Sequence, residues 1–327
     1  MTLALAAALC ALSVASASAA VAPAAHMPKL WLADGVAAPA ISLGCGGGFV
    51  GNRSLPGPAV STWLIEAGGR GVDTAFDYDN NDLVGHAFQE AFSAGLSRDD
   101  VFVTSKQPGP IGYEATLTSV VDSLFNLTLD YSDLHLIHFP EPQMLPAGKT
   151  AKQMRQETWL GMEAVLEQGL VRAIGVSNFN QTHIADIMEV ATVTPAVNQV
   201  LFNPVQHDMD LLAYCDSLGI RMEAWSPLGG HDSRHGSVLD NPLMKKVAAA
   251  HGVSTAQVAI RWALQHGLMV TTGTSNSEHM RTDVDVYNFR LTDAELAAIS
   301  ELQGGARERG VKMARAPRRA QATVEVA

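Results

Sequence analysis

Cysteine and positive charge are both scarce in this chain, and each scarcity removes a class of function. Only three cysteines occur in 327 residues, Cys10, Cys45 and Cys215. Their spacing makes no disulfide framework and no zinc-ligand pattern, so no metal site is expected and Cys45 and Cys215 read as free thiols. Lysine and arginine number 22 against 33 acidic residues, giving a net charge of −11. The body carries no basic run, which argues against a nucleic-acid surface. No internal repeat is visible beyond an alternation of strand-like and helix-like segments. What is abundant is apolar content, 47% of residues against 17% charged. That suffices for a large core, and a single α/β barrel of about 250 residues with extensions is the natural fit.

The two ends differ from the body. Residues 1–25 are almost entirely small and apolar, and the small residues around Ala17, Ala19 and Ala20 suit a leader-cleavage site. The apolar run is too short to cross a bilayer comfortably, and no lysine or arginine precedes it. A cleaved leader is the expectation, addressing the secretory route or a plastid, with a cytoplasmic protein if the leader does not function. No membrane association is expected after its removal. Residues 304–327 read as a loose tail bearing Arg307, Arg309, Lys312, Arg315, Arg318 and Arg319. Between them, residues 26–303 form the expected domain.

Within that domain Asp34-Gly35 separates two apolar arms, a hairpin signal. Gly46, Gly48 and Gly51 then mimic the G-x-G-x-x-G of a dinucleotide fold, with Asp73 near the distance of its ribose-binding acid. That motif requires a helix to open at its last glycine. Pro56 and Pro58 instead predict an extended turn before an apolar helix around residues 63–67. Strands are expected at 40–44, 71–75, 101–105, 133–138, 173–177, 196–200, 221–225 and 268–272. Eight strands with helices between them are what a closed barrel needs. Ser254 is the expected cap of a helix running to His266, and Thr292 with Glu295 makes a capping box.

Four ionisable groups fall at or just beyond strand ends: Asp73, Tyr78, Lys106 and His138. Ligands gather at that edge of a parallel α/β protein. His138 shares its parity with Leu134 and Leu136 and points into the barrel, whereas His135 has the opposite parity.

The stretches DTAFDYDNNDLVG, VFVTSK, DLHLIHFP, VRAIGVSNF, VNQ, WSPLG and FRLTDAEL, in that order across roughly residues 28–302, resemble the aldo-keto reductase family. The resemblance implies a (β/α)8 TIM barrel whose N-terminal hairpin closes the bottom. It also implies a monomer that transfers hydride from a reduced nicotinamide to an aldehyde or ketone. Asp73, Tyr78, Lys106 and His138 match the family's catalytic tetrad. Tyr78 is the expected general acid, with Lys106 lowering its pKa and Asp73 keeping Lys106 charged. His138 is expected to hydrogen-bond and orient the substrate carbonyl. Two other readings stay open, a cofactor-binding regulatory subunit like the potassium-channel β subunits and an inactive exported barrel.

By the same resemblance Ser177, Asn178 and Gln199 hold the nicotinamide carboxamide and Trp225 stacks on its ring. Ser226 and Leu228 approach the pyrophosphate. Phe139, Pro108 and loops 140–156 and 229–241 line the mouth. NADP is the expected cofactor, but the family's phosphate-binding lysine is Gly273 here, followed by Thr274, and its arginine falls on His279. NAD therefore becomes acceptable. Arg281 and the amides of a helix starting near Ser277 are the remaining sources of anion affinity.

Overall fold

The computed structural model describes residues 21–25, 27–32, 35–230 and 237–305. Asp34 of the expected turn, most of the leader and the arginines of the tail lie outside them. A short antiparallel hairpin comes first, β1 (Lys29–Trp31) and β2 (Ala37–Pro39). Eight parallel strands follow: β3 (Ile41–Gly44), β4 (Gly71–Asp73), β5 (Phe102–Gln107), β6 (Leu134–Ile137), β7 (Ile174–Ser177), β8 (Val197–Leu201), β9 (Arg221–Trp225) and β10 (Met269–Thr272). They hydrogen-bond in chain order, and β10 returns to β3 to close the barrel. Each of the eight expected strands is found within two residues of its predicted bounds.

The helices between them are α1 (Pro56–Ile65), α2 (Asn81–Ser93), α3 (Tyr113–Leu127), α4 (Ala151–Glu167), α5 (Gln181–Met188) and α6 (Met209–Ser217). They continue with α7 (Pro242–His251), α8 (Thr255–Gln265), α9 (Ser277–Val284) and α10 (Asp293–Ser300). Ser254 and Thr292 cap α8 and α10 through the expected boxes. No helix among the described residues is long and apolar enough to cross a membrane.

Alternation along each strand divides the core into two. Outward residues such as Leu43, Val72, Val103, Ile137, Ile174 and Val176 join the helices in one large apolar shell. Inward residues Phe102, Leu134, Leu136, Ala173, Val197 and Met269 form a smaller cluster at the strands' amino ends, and Leu32 and Ala38 of the hairpin segment complete it. The hairpin thus seals the bottom, and the opposite edge is left for chemistry.

Two local expectations need correction. Helix α1 begins at Pro56 and contains Pro58, rather than following an extended turn. First-turn amides have no intrahelical acceptor, so proline costs nothing there, and its fixed φ favours the start. Residues 151–156 belong to α4 rather than to a loop, because Thr150 and Gln153 cap one another across the helix start. The glycine decoy is resolved as expected. A 3-10 turn occupies Gly47–Phe49 and no helix opens at Gly51.

Candidate active site

Strand β4 ends at Asp73, and a 3-10 turn over Phe76–Tyr78 carries the phenol back over the barrel mouth. Lys106 reaches the same place from β5. Its Nζ lies 2.6 Å from both carboxylate oxygens of Asp73, 3.3 Å from the Thr74 carbonyl and 3.4 Å from the Tyr78 hydroxyl. Lys106 and Asp73 are buried to 0% and 1% exposure. Burial is the largest single effect and pulls the ammonium toward neutrality, but the charge and hydrogen bonds of Asp73, with Tyr78 and Glu223 adding to them, together outweigh it and Lys106 sits above the ordinary lysine range.

Lys106 acts on the Tyr78 pKa in the expected direction, but the net shift is upward. Burial of the phenol raises it, and Lys106 only partly opposes. Burial is the larger effect, and the ammonium is shared with two Asp73 oxygens at 2.6 Å while it stands 3.4 Å from the hydroxyl. Tyr78 therefore holds its proton at neutral pH, which a proton donor must do.

His138 follows β6 and is 8% exposed. Its ring meets Tyr78 edge-on with centroids 5.6 Å apart and stacks on Phe139 at 4.3 Å. Its Nδ1 lies 3.1 Å from Oδ2 of Asp77, a contact absent from the sequence reading. His135 points outward as its parity predicts, fully buried, with burial lowering its pKa to about 3.

A second polar group continues from Asp73. Gln199 Nε2 donates to Asp73 Oδ2 and to Glu223 Oε2, both at 2.8 Å. Thr271 Oγ1 donates to the other Glu223 oxygen at 2.8 Å. Glu223 is completely buried, and burial together with the Asp73 charge pushes its carboxyl well above the usual range. Sequence reasoning passed over Glu223. Its signal was a lone carboxylate two residues before Trp225, on the inward parity of a strand.

At the rim Ser177 Oγ donates to the Gln199 carbonyl at 2.8 Å, and Asn178 Nδ2 donates to the His138 carbonyl at 2.9 Å. Trp225 Nε1 donates to Asn178 Oδ1 at 3.0 Å, fixing the indole beside them. Asn178 and Ser226 both adopt left-handed backbone, φ 63° and 49°, a conformation non-glycine residues take up at a cost. Leu228 packs on the outer core. An aromatic plate flanked by Ser177, Asn178 and Gln199 fits a planar ring bearing a carboxamide.

Gly273 and Thr274 follow β10 and His279 lies in the first turn of α9, with Gly273 and His279 exposed and Thr274 half-buried. Thr274 Oγ1 accepts from the Asn276 amide at 3.1 Å. Two of the amides expected of α9, those of Glu278 and His279, are taken by Asn276 Oδ1. Arg281 is turned 3.3 Å from Glu66. Phe139 is exposed at the mouth and Pro108 is half-buried, as expected of lining residues, whereas residues 231–236 of the second loop lie outside the described set. Both described cysteines are free and buried, and no metal-ligand cluster occurs among the described residues.

The fold and site define a (β/α)8 oxidoreductase, and comparison with known proteins gives its family. The Aldo/keto reductase family model matches residues 58–303. Glyoxal reductase of Bacillus subtilis is 37% identical over 239 residues, 73% of this chain and 80% of that one. Morphine 6-dehydrogenase of Pseudomonas putida is 35% identical over 289 residues, covering 86% and 93%. The crystal structure of Bombyx mori aldo-keto reductase in complex with NADP superposes with a TM-score of 0.75 at 32% identity, over 86% of this chain and 94% of that one. The chain belongs to the aldo-keto reductase family and is an NAD(P)H-dependent oxidoreductase of carbonyl compounds.

Proposed function

We propose that Tyr78 gives its proton to the oxygen of a small aldehyde or ketone as that carbonyl is reduced, with Lys106 and Asp73 holding the phenol's electrostatic environment. The observation that carries this is Lys106 Nζ placed between the Asp73 carboxylate at 2.6 Å and the Tyr78 hydroxyl at 3.4 Å. A bound reduced nicotinamide supplies the hydride. Trp225, Ser177, Asn178 and Gln199 position its ring. Lys106 stabilises the phenolate left after proton transfer, since the charge it faces grows as the proton departs. Phe139 and His138 shape the mouth and exclude water from one side.

NADPH is accepted with a weakened preference over NADH. Support comes from Gly273 in the lysine position, from the Glu278 and His279 amides already bound by Asn276, and from Arg281 paired with Glu66. The protein acts as a monomer that has lost its leader on the way to a secretory or plastid compartment. Ala22 and Ala25 donate backbone hydrogen bonds to Ile65 and Gly68, and Arg70 donates to the Ala22 carbonyl. A cut before Val21 preserves those bonds.

Consumption of reduced nicotinamide, followed by absorbance over a panel of aldehydes, ketones and sugars, tests the reading. Tyr78→Phe keeps the ring and removes the proton, so turnover should fall at least ~10²-fold with cofactor affinity nearly unchanged. Normal turnover by Tyr78→Phe would overturn it.

A further inference from the structure

The two ring nitrogens of His138 have different surroundings. Nδ1 faces Asp77 Oδ2 at 3.1 Å, while Nε2 has no hydrogen-bond partner among the described residues. An ionised carboxylate only accepts, so the proton of a neutral ring held this way belongs on Nδ1. Nε2 is then a lone pair. A substrate carbonyl is also an acceptor, and two acceptors do not hydrogen-bond. The arrangement thus conflicts with a neutral His138 that donates to the substrate.

We propose that Asp77 is a positioning residue for the reaction: it fixes His138 with the proton on Nδ1, so that the imidazole donates to a carbonyl substrate only when protonated and Tyr78 is the only donor above that point. The proposal rests on reading Tyr78 and His138 as the two walls of the carbonyl pocket. The groups facing the ring are Asp77 at Nδ1, Tyr78 at its edge, Phe139 on its face, and the charges of Lys106 and Asp73 behind. Burial holds the imidazole below its ordinary pKa and Lys106 adds to this, while Asp77 and Asp73 oppose. The resting ring is therefore neutral at neutral pH. Protonation adds Nε2–H and a charge-assisted bond to the carbonyl oxygen, so reduction accelerates as pH falls. Tyr78 contributes no limb to this profile, because its raised pKa keeps it protonated throughout.

The test measures kcat/KM for aldehyde reduction at saturating cofactor from about pH 5 to about pH 9. Wild-type protein should show a limb rising toward acid. Asp77→Leu frees the ring to carry its proton on Nε2, so the limb should flatten and the alkaline value should rise, by roughly tenfold for one regained hydrogen bond to the reacting oxygen. An unchanged acid limb, or loss of activity at every pH in a folded Asp77→Leu protein, overturns the proposal. Long-range 1H–15N correlation on histidine-labelled wild-type protein reads the tautomer directly, with the His138 signal assigned by its absence from His138→Asn. Protonation on Nδ1 with Nε2 bare at about pH 8 is the result expected; the opposite tautomer overturns it. The spectrum needs no turnover, so failure of the Tyr78 assignment and failure of the Asp77 assignment are distinguishable.

Discussion

Gly46 lies flat against the face of Tyr78, so closely that a Cβ built on it would stand 2.7 Å from Cζ of the phenol. The Gly46 backbone, at φ −88°, is one that alanine adopts freely. Gly46→Ala should therefore spare the fold and displace the ring. A shift of about 1 Å at a reacting group can cost on the order of 10² in rate. We expect kcat to fall at least roughly tenfold with the thermal midpoint close to wild type. Equal losses of stability and rate would show that the contact matters to folding instead.

The Asp73 and Lys106 pair predicts an asymmetry in stability. Lys106→Met leaves a buried carboxylate whose remaining side-chain partner is Gln199, and breaking one side of a buried pair costs about 3–5 kcal/mol. The double variant Asp73→Asn, Lys106→Met removes both charges and should recover part of that loss while remaining inactive. Urea unfolding of the three proteins measures it. Lys106→Met as stable as wild type would contradict the account.

Asp283 gives stability a pH dependence outside the site. It projects from α9, 3% exposed, and accepts one hydrogen bond from Thr272 at 3.0 Å. Burial raises its pKa from 3.8 to about 6, with Thr272 and His279 opposing only in part. A carboxyl raised on folding destabilises nothing below its unfolded pKa. The penalty grows between 3.8 and about 6 and is complete above, reaching about 3 kcal/mol. Asp283→Asn should raise the thermal midpoint at pH 8 by several degrees and leave it unchanged near pH 3.5. A gain of equal size at both pH values would mean that ionisation is not the cause.

Cofactor choice depends on a surface where side chains can be added. A Cβ on Gly273 would meet only the Gly44 carbonyl at 3.4 Å and Phe49 at 3.9 Å, which are ordinary contacts. Gly273→Lys should tighten NADPH about ten- to a hundredfold, the worth of one charge-assisted partner, and leave NADH unchanged. Quenching of tryptophan fluorescence by each reduced cofactor reads both constants. Wild-type preference for NADPH beyond about a thousandfold would mean that a cation from elsewhere serves the phosphate.

The barrel was legible in the sequence because each strand is a short apolar run with its own punctuation; strand-end position placed Asp73 and Lys106, and parity placed His138, without coordinates. The start of α1 was not, since proline signals both a turn and a helix's first residue. Glu223 was passed over because a single buried acid in a strand has no spacing to mark it; its partners, Gln199 and Thr271, come from the two flanking strands β8 and β10, and no local motif links them to it. The net shift of the Tyr78 pKa was not legible for a related reason. How deeply the phenol is buried depends on the turn that carries it over the mouth, which no motif encodes.

The polar contacts from Lys106 through Asp73, Gln199 and Glu223 to Thr271 join side chains of five of the eight strands. In a strand, sliding by one residue turns every side chain to the opposite face. A slip of β4, β5 or β9 would thus drive a charged group out of this belt and into the apolar shell beneath the helices. The same groups that the chemistry requires act as alignment pins during folding: a barrel that closed out of register would be both inactive and unstable, so a mis-threaded chain has little to hold it in place.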